Sequence, residues 1–160
     1  MNPKKVLLYI GLILLFLGLA FCGLLYYTLR TKVNDITDQK PFTSFVNEKM
    51  VLGNDAILVN NYEHFVHEEP LYLDAVGSQL FEGTSIAHQL TKGDTVIIHS
   101  VKDFTNGVSG TTSTVLFGNV TTGNPPAKIP FEYTWEAQQI EKNTDGVFVF
   151  SFELAEWEKE

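Results

Sequence analysis

The sequence is poor in cysteine, and acidic residues are absent from its first part. A disulfide within the chain is excluded, because Cys22 is the one cysteine. Residues 1–32 contain four basic residues and no Asp or Glu. Residues 33–160 contain the other seven basic residues and all 19 acidic ones, which gives 7 − 19 = −12. Phosphate binding needs clustered Lys and Arg, so we expect no nucleic-acid partner.

Several catalytic motifs are also missing from the sequence. No Gly-x-Ser-x-Gly nucleophile elbow occurs, and no glycine-rich loop with a following Lys-Ser or Lys-Thr is available to hold phosphate groups. Ser109 has glycines nearby, but its Gly/Ser/Thr-rich surroundings favour a long hairpin loop. We therefore expect a non-catalytic protein without a cofactor, and a small hydrolase that uses Ser109 is the last of the alternatives.

A long apolar run lies close to the N-terminus. Residues 6–29 are 24 residues without a charge. As a helix they would extend for about 36 Å, enough to cross a hydrocarbon core of about 30 Å. Tyr9, Tyr26 and Tyr27 stand near the two ends of the run, where interfacial aromatic residues are common. The run predicts an uncleaved transmembrane helix, preceded by a tail of residues 1–5.

Two alternatives to this anchor, in which the apolar segment is cleaved from the protein, stay open. A secretory signal peptide has a shorter apolar region and small residues at its cleavage site, whereas residues 26–30 are Tyr-Tyr-Thr-Leu-Arg. Residues 19–22, Leu-Ala-Phe-Cys, resemble the box of bacterial lipoproteins, which implies lipid attachment at Cys22 after cleavage. Phe21 departs from that box, which has a small residue at this position.

The expected orientation of the helix comes from its short N-terminal tail more than from the flanking charges. Lys4 and Lys5 precede it, but Arg30 and Lys32 follow it, so the positive-inside rule discriminates little. The short N-terminal tail favours a signal anchor with its N-terminus in the cytoplasm. We expect a single-pass protein of the bacterial inner membrane, with the C-terminal domain in the periplasm.

Three small residues follow one stripe of the apolar helix. Gly11, Gly18 and Cys22 are spaced by seven and four residues, which places them on one helical face. Small residues on one face allow a second helix to approach closely in a bilayer. The stripe is a predicted helix-packing face, and the general frequency of glycine in membrane helices is the alternative explanation.

Strand signals dominate the rest of the chain, after a polar juxtamembrane linker of residues 30–41. The six clearest predicted strands are residues 56–59, 71–76, 95–101, 113–120, 131–136 and 147–154. Phe131 and Tyr133 alternate with Glu132 and Thr134, which is typical of a half-buried antiparallel strand. Helical signals are limited to a turn or two in residues 44–50, 82–90 and 135–142. We predict one all-β domain over residues 42–160, a small antiparallel barrel or sandwich.

Part of this domain resembles a bacterial SH3-like barrel. Residues 71–74 are Leu-Tyr-Leu-Asp, Ile86 follows, and residues 90–98 are Leu-Thr-Lys-Gly-Asp-Thr-Val-Ile-Ile, a Lys-Gly turn before a Val-containing strand. The Gly-Trp-Val close of that family is absent. The resemblance implies an SH3-like fold with peptide or cell-wall contacts, and no binding residue is carried over from it.

Two further sets of residues are candidates for binding. His64 and His67 stand among carboxylates in residues 62–69, and imidazole nitrogen and carboxylate oxygen are zinc ligands. An extended conformation, which Pro70 favours, would point the two histidines apart, and a solvated acidic loop is the preferred alternative. Trp157, within the acidic residues 153–160, is the candidate partner-docking residue, with capping of the core as its alternative.

Together these features predict a membrane-anchored accessory or assembly subunit of an envelope complex. Its expected partners are the lipid bilayer and other membrane-protein subunits. The alternative function is an envelope-facing module that binds a peptide, a glycan or a metal.

Overall fold

A computed structural model describes residues 3–62, 67–123, 125–135 and 138–152, with the backbone alone for residues 138 and 139. The chain divides into two compact units. The first consists of Met1–Lys32 with Thr105–Thr112, and the second of Val33–Phe104 with Ser113–Glu160. The helix lies in the first unit, and the core of the sheet lies in the second.

The predicted apolar helix is confirmed as α1, Pro3–Leu29. Its 27 residues extend for about 40 Å at about 1.5 Å per residue. Its most apolar stretch has a mean hydropathy of 2.6, and none of its described residues is buried. At the C-terminal end the Arg30 guanidinium lies 4.8 Å from the centroid of the Tyr27 ring, within the range of a cation–π contact. The helix is long and apolar enough to cross a membrane.

The other part of the first unit is a hairpin loop that Asn106 organises. Its side-chain oxygen accepts hydrogen bonds from the backbone N–H groups of Val108 and Ser109, at 2.8 and 3.1 Å. Its backbone oxygen also accepts a hydrogen bond from the Gly110 N–H. An Asn that bonds to backbone two and three residues ahead is a common way to form a turn. Ser109 therefore lies in a hairpin loop, as its surroundings predict.

The described residues form ten strands in one mixed sheet, with a short 3-10 turn at Phe42–Ser44. The strands are β1 (Lys32–Asp35), β2 (Met50–Leu52), β3 (Ala56–Asn60), β4 (Leu71–Ala75), β5 (Ser85–Leu90), β6 (Thr95–Thr105), β7 (Thr112–Thr122), β8 (Ala127–Thr134), β9 (Gln138–Lys142) and β10 (Phe148–Phe152). Their order in the sheet is β5-β3-β4-β8-β7-β6-β2-β10-β9, and β1 pairs with β6 beside this path.

The all-β class is confirmed, but the expected antiparallel barrel is not. The pairs β4–β8 and β2–β10 are parallel, so the sheet is mixed. Among the described strands the order runs from β5 to β9 without closing, and the SH3-like barrel is not confirmed. Parallel pairs join strands that are distant in sequence, and local sequence patterns carry little information about such pairs.

All six predicted strands are present, and four more were not predicted. The helical turns expected in residues 82–90 and 135–142 are wrong, because these segments contain β5 and β9. β5 includes the good helix formers Ala87, Gln89 and Leu90. Its pairing with β3 overrides that local preference, as tertiary context commonly does.

The main core lies on the concave side of the curled sheet. Leu58 and Leu90, near one end of the strand order, belong to the same buried cluster as Met50 and Phe150, near the other end. The sheet bends, because β2 and β3 stand five places apart in the strand order, about 24 Å in a flat sheet, whereas the four-residue step from Leu52 to Ala56 spans at most about 14 Å. The predicted juxtamembrane segment also contributes, since the Ile36 side chain is buried in this cluster.

The opposite side of the sheet carries two smaller clusters. One contains Ile57, Val59, Tyr62 and Tyr72, with Leu80 packed against it. The other consists of Phe104, Val115 and Phe117. Strand β3 is thus buried on both faces, as its almost continuous apolar sequence favours.

Two phenylalanines provide a test of this core assignment. Phe131→Ala should lower the free energy of unfolding by about 3–5 kcal/mol, because the side chain is fully buried and its loss leaves a cavity. Phe81→Ala is the matched control and should cost less than about 1 kcal/mol, because Phe81 is 57% exposed. Urea denaturation of the full chain in detergent measures both values. Equal losses for the two variants would contradict the assignment.

Candidate functional site

A buried carboxylate holds one segment of the chain against the sheet. Glu132 lies on β8 between two core residues and is fully buried. Its carboxylate accepts a hydrogen bond from the His67 backbone N–H at 2.7 Å, and further hydrogen bonds from the backbone N–H groups of Glu68 and Glu69. The alternation of residues 131–134 is typical of a strand with one polar face, yet Glu132 on that face is buried. Three donors aimed at one carboxylate compensate the loss of its hydration.

The held segment covers the cluster on β6 and β7. The His67 imidazole lies 4.0 Å, centroid to centroid, from the Phe104 ring. The Lys102 ammonium forms an ion pair with the Glu68 carboxylate at 2.6 Å and lies 5.1 Å from the centre of the Phe117 ring. Residues 67–69 therefore shield apolar side chains that would otherwise face water.

The candidate metal ligands are only partly placed by the structure. His64 lies outside the described residues. The Nδ1 atom of His67 is 3.4 Å from a Glu132 carboxylate oxygen. Within the described part of the chain, no three His, Cys, Asp or Glu side chains are arranged to hold a metal ion. Metal binding at His64 and His67 stays the untested alternative to an acidic loop, and the observed contacts of His67 are with the sheet.

A surface cleft lies beside β5 on the convex side of the sheet. Its volume is about 370 Å³, and its apolar lining includes Ile57, Leu80, Val76 and Ile86. Val76 is 58% exposed and Ile86 is 46% exposed. The Asp55 carboxylate, also in the lining, accepts a hydrogen bond from the Lys92 backbone N–H at 2.8 Å. The cleft thus offers mainly apolar contacts next to a strand edge.

Strand β5 ends the sheet on this side. It pairs with β3, and no described strand lies along its other edge. Ile86 pairs with Val59 and His88 pairs with Leu58, so Ala87 forms a β-bulge between them. The six residues of β5 include no Asp, Glu, Lys, Arg or Pro. Sequence reasoning missed this edge because only the strand order shows where a sheet ends.

Tyr62 anchors the cluster behind the cleft. Its hydroxyl donates a hydrogen bond to the Asp74 carboxylate at 3.4 Å, and its ring stacks on Tyr72 with the centroids 4.9 Å apart. Burial raises the pKa of the Tyr62 hydroxyl to about 12, and the negative charge of Asp74 adds to this shift. The hydroxyl therefore stays a neutral hydrogen-bond donor throughout the physiological pH range.

The structure describes the predicted helix-packing residues but not the predicted docking residue. Gly11, Gly18 and Cys22 all lie on α1 and are exposed. A Cβ atom placed on Gly11 or Gly18 would meet no other atom within 4 Å, so both positions have space for a neighbouring helix. Trp157 lies outside the described residues. The packing face and the docking residue stay predictions.

Comparison with known proteins gave no match to a family model, a curated protein or a solved structure.

The Glu132 anchor makes a specific prediction about local stability. Glu132→Gln should lower the free energy of unfolding by about 2 kcal/mol, because an amide offers one acceptor oxygen and places N–H groups against backbone donors. Amide hydrogen exchange at His67, Glu68 and Glu69 should become at least roughly tenfold faster. Nuclear magnetic resonance or mass spectrometry of the full chain measures this exchange.

Glu141→Gln is the matched control, because Glu141 is exposed on β9 and the same chemical change there should leave exchange at residues 67–69 unaltered. If Glu132→Gln left those amides as protected as in the native chain, the anchoring role of the carboxylate would be refuted.

Proposed function

We propose that this chain is a single-pass membrane protein whose β domain lies outside the cytoplasm. The observation that carries the proposal is the exposure of α1. Leu7, Leu14 and Phe16 are 75, 64 and 73% exposed, and none of the described helix residues is buried. An apolar surface of this extent is unfavourable in water and favourable in a lipid bilayer.

The charge distribution supports the orientation in this proposal. The 128 residues after Lys32 carry a net charge of −12. The cytoplasmic leaflet carries anionic lipids and attracts basic segments, so it repels a domain with this charge. Lys4 and Lys5 lie in the first turn of α1, before its apolar run, and are suited to the cytoplasmic side.

Within this proposal the β domain acts as a non-catalytic accessory or assembly subunit of a membrane complex. Two surfaces support this role. The exposed apolar residues Val76, Phe81 and Ile86 provide a contact area on the domain. The stripe of Gly11, Gly18 and Cys22 provides a contact face within the bilayer.

Ligand binding in the cleft is the second candidate function. The volume of about 370 Å³ falls within the size range of ligand sites, and its apolar lining beside an open strand edge suits an extended peptide. This alternative predicts saturable binding by a short apolar peptide, independent of the helix.

The accessory role predicts a larger assembly that depends on the helix face. Affinity isolation from membranes in mild detergent, at native expression, should recover a defined complex with other membrane proteins. The double variant Gly11→Leu and Gly18→Leu should reduce this recovery at least severalfold, because leucine prevents close helix approach. Mass spectrometry of the isolated material measures it.

Ala20→Leu is the control for that experiment. It makes a similar increase in size about 180° around the helix from the stripe, and recovery should stay unchanged. Isolation of the native chain only as a free monomer would contradict the accessory role.

The orientation predicts the pattern of protease digestion. A protease added to intact bacterial spheroplasts should degrade residues 33–160, because these residues face outward, while a cytoplasmic marker protein stays intact. Immunoblotting against the C-terminal domain follows the digestion. Protection of the domain until the cells are lysed would reverse the proposed orientation.

A further inference from the structure

We propose that β5 is a self-association surface, through which two copies of this chain pair antiparallel and form one continuous sheet. The proposal goes beyond the accessory role, because it assigns a second copy of the chain as the partner at this edge. It rests on the proposed membrane anchor for the effective concentration of the two copies, and not on which other proteins share the membrane.

The side chains of β5 do not protect this edge from pairing with another strand. Natural sheets prevent edge-to-edge pairing with charged residues, proline or bulges. Of these devices strand β5 has only the bulge at Ala87, and it has no charged residue or proline, although residues 33–160 carry a net charge of −12. The uncharged strand lets two copies pair without like charges opposed along its six residues, whereas the Asp55 and Asp94 carboxylates lie beside the Lys92 end of the edge. The Debye length of about 8 Å at physiological salt screens the charges that lie further away.

Two charged residues beyond the ends of β5 are complementary in an antiparallel pair of copies. Glu82 and Lys92 each lie five residues from Ala87, on opposite sides of it. An antiparallel pair with its two-fold axis at Ala87 therefore brings Glu82 of each copy to the end of the edge where Lys92 of the other copy lies. A parallel pair would instead bring like charges together.

Both of these charges are available for such pairing. Among the described residues, neither the Glu82 carboxylate nor the Lys92 ammonium has a hydrogen bond or ion pair within the chain. The bulge interrupts the ladder at Ala87. The backbone hydrogen bonds of the pair then come from the residues on either side of the axis.

Confinement of the chain to a membrane also favours pairing of two copies. Two copies anchored by α1 in one bilayer experience a much higher effective concentration than two free domains. A two-fold dimer needs only one self-complementary surface, and the six-residue strand with opposite charges beyond its ends is such a surface. The exposed side chains of Val76, Phe81 and Ile86 lie near this edge and add apolar area to the contact.

Charge reversal tests the pairing in the full chain. Sedimentation in detergent micelles gives the dimer dissociation constant of the native chain, of Glu82→Lys, of Lys92→Glu and of the double variant. Each single reversal should weaken the dimer roughly tenfold, because attraction becomes repulsion at two symmetric positions. The double reversal should restore the native value, which loss of folding would not do.

Cysteine crosslinking tests the position of the axis. In a Cys22→Ser background, Ala87→Cys should form a disulfide-linked dimer under mild oxidation, because the axis brings the two side chains together. Lys128→Cys, exposed on β8 in the middle of the sheet, is the control and should stay monomeric.

Three results would overturn the proposal. One is a monomer at all concentrations, even if the chain still co-isolates with other subunits, which would leave the accessory role intact. Another is a dimer whose dissociation constant does not change in the charge-reversal variants but which is lost in the double variant Gly11→Leu and Gly18→Leu. That result would assign the association to the helix. The third is crosslinking of Ala87→Cys in native membranes to a different protein, which would assign another occupant to the edge.

Discussion

The β domain depends on one constraint: a single sheet has to bury both of its own faces. Within the second unit, the described residues form no α-helix that could cover the sheet as a second layer. The concave face is buried because the sheet bends until Leu58 and Phe150, from distant strands, share one cluster. The convex face is covered by the chain segments that connect the strands. Edge β5 follows from this arrangement, because an open sheet that curves without closing keeps free edges.

The cover of the convex face depends on Glu132. Its position on β8 is opposite Tyr72 in the parallel pair and opposite Phe117 in the antiparallel pair, so it lies within the sheet. An isolated buried carboxylate is strongly unfavourable, and only its hydrogen bonds to the segment at residues 67–69 make the position tolerable. The same bonds satisfy three backbone donors that would otherwise be shielded from water. Segment and carboxylate therefore stabilise each other.

The sequence reveals those elements whose signals are local. The apolar run of α1 and the alternating or β-branched strands are visible, because burial on one face of a sheet or in a bilayer imposes a pattern on neighbouring residues. Strands β1 and β2 were missed because four and three residues are too short for such a pattern. Strands β5 and β9 were mistaken for helical turns because their pairing comes from residues distant in sequence.

The candidate site was harder to predict than the fold. Alternation along β8 places Glu132 on a polar side, and only the path of residues 67–69 explains its burial. His67 was selected for its chemistry, but its ring packs on Phe104. Strand β5 lies in a stretch without charged residues, but so does β7 in the middle of the sheet. Only the strand order, which no local pattern provides, identifies the edge.

The central claim is that the curled sheet covers both of its own faces and leaves the β5 edge to a second copy of the chain. Amide hydrogen exchange at β5 tests this claim most directly. Full-length chain is placed in nanodiscs that hold either one copy or two, and exchange is followed by mass spectrometry. The account predicts that peptides covering Ser85–Leu90 exchange markedly more slowly with two copies, while those covering Gln138–Lys142, at the other end of the sheet, do not change. Identical exchange at β5 with one copy and with two would contradict it.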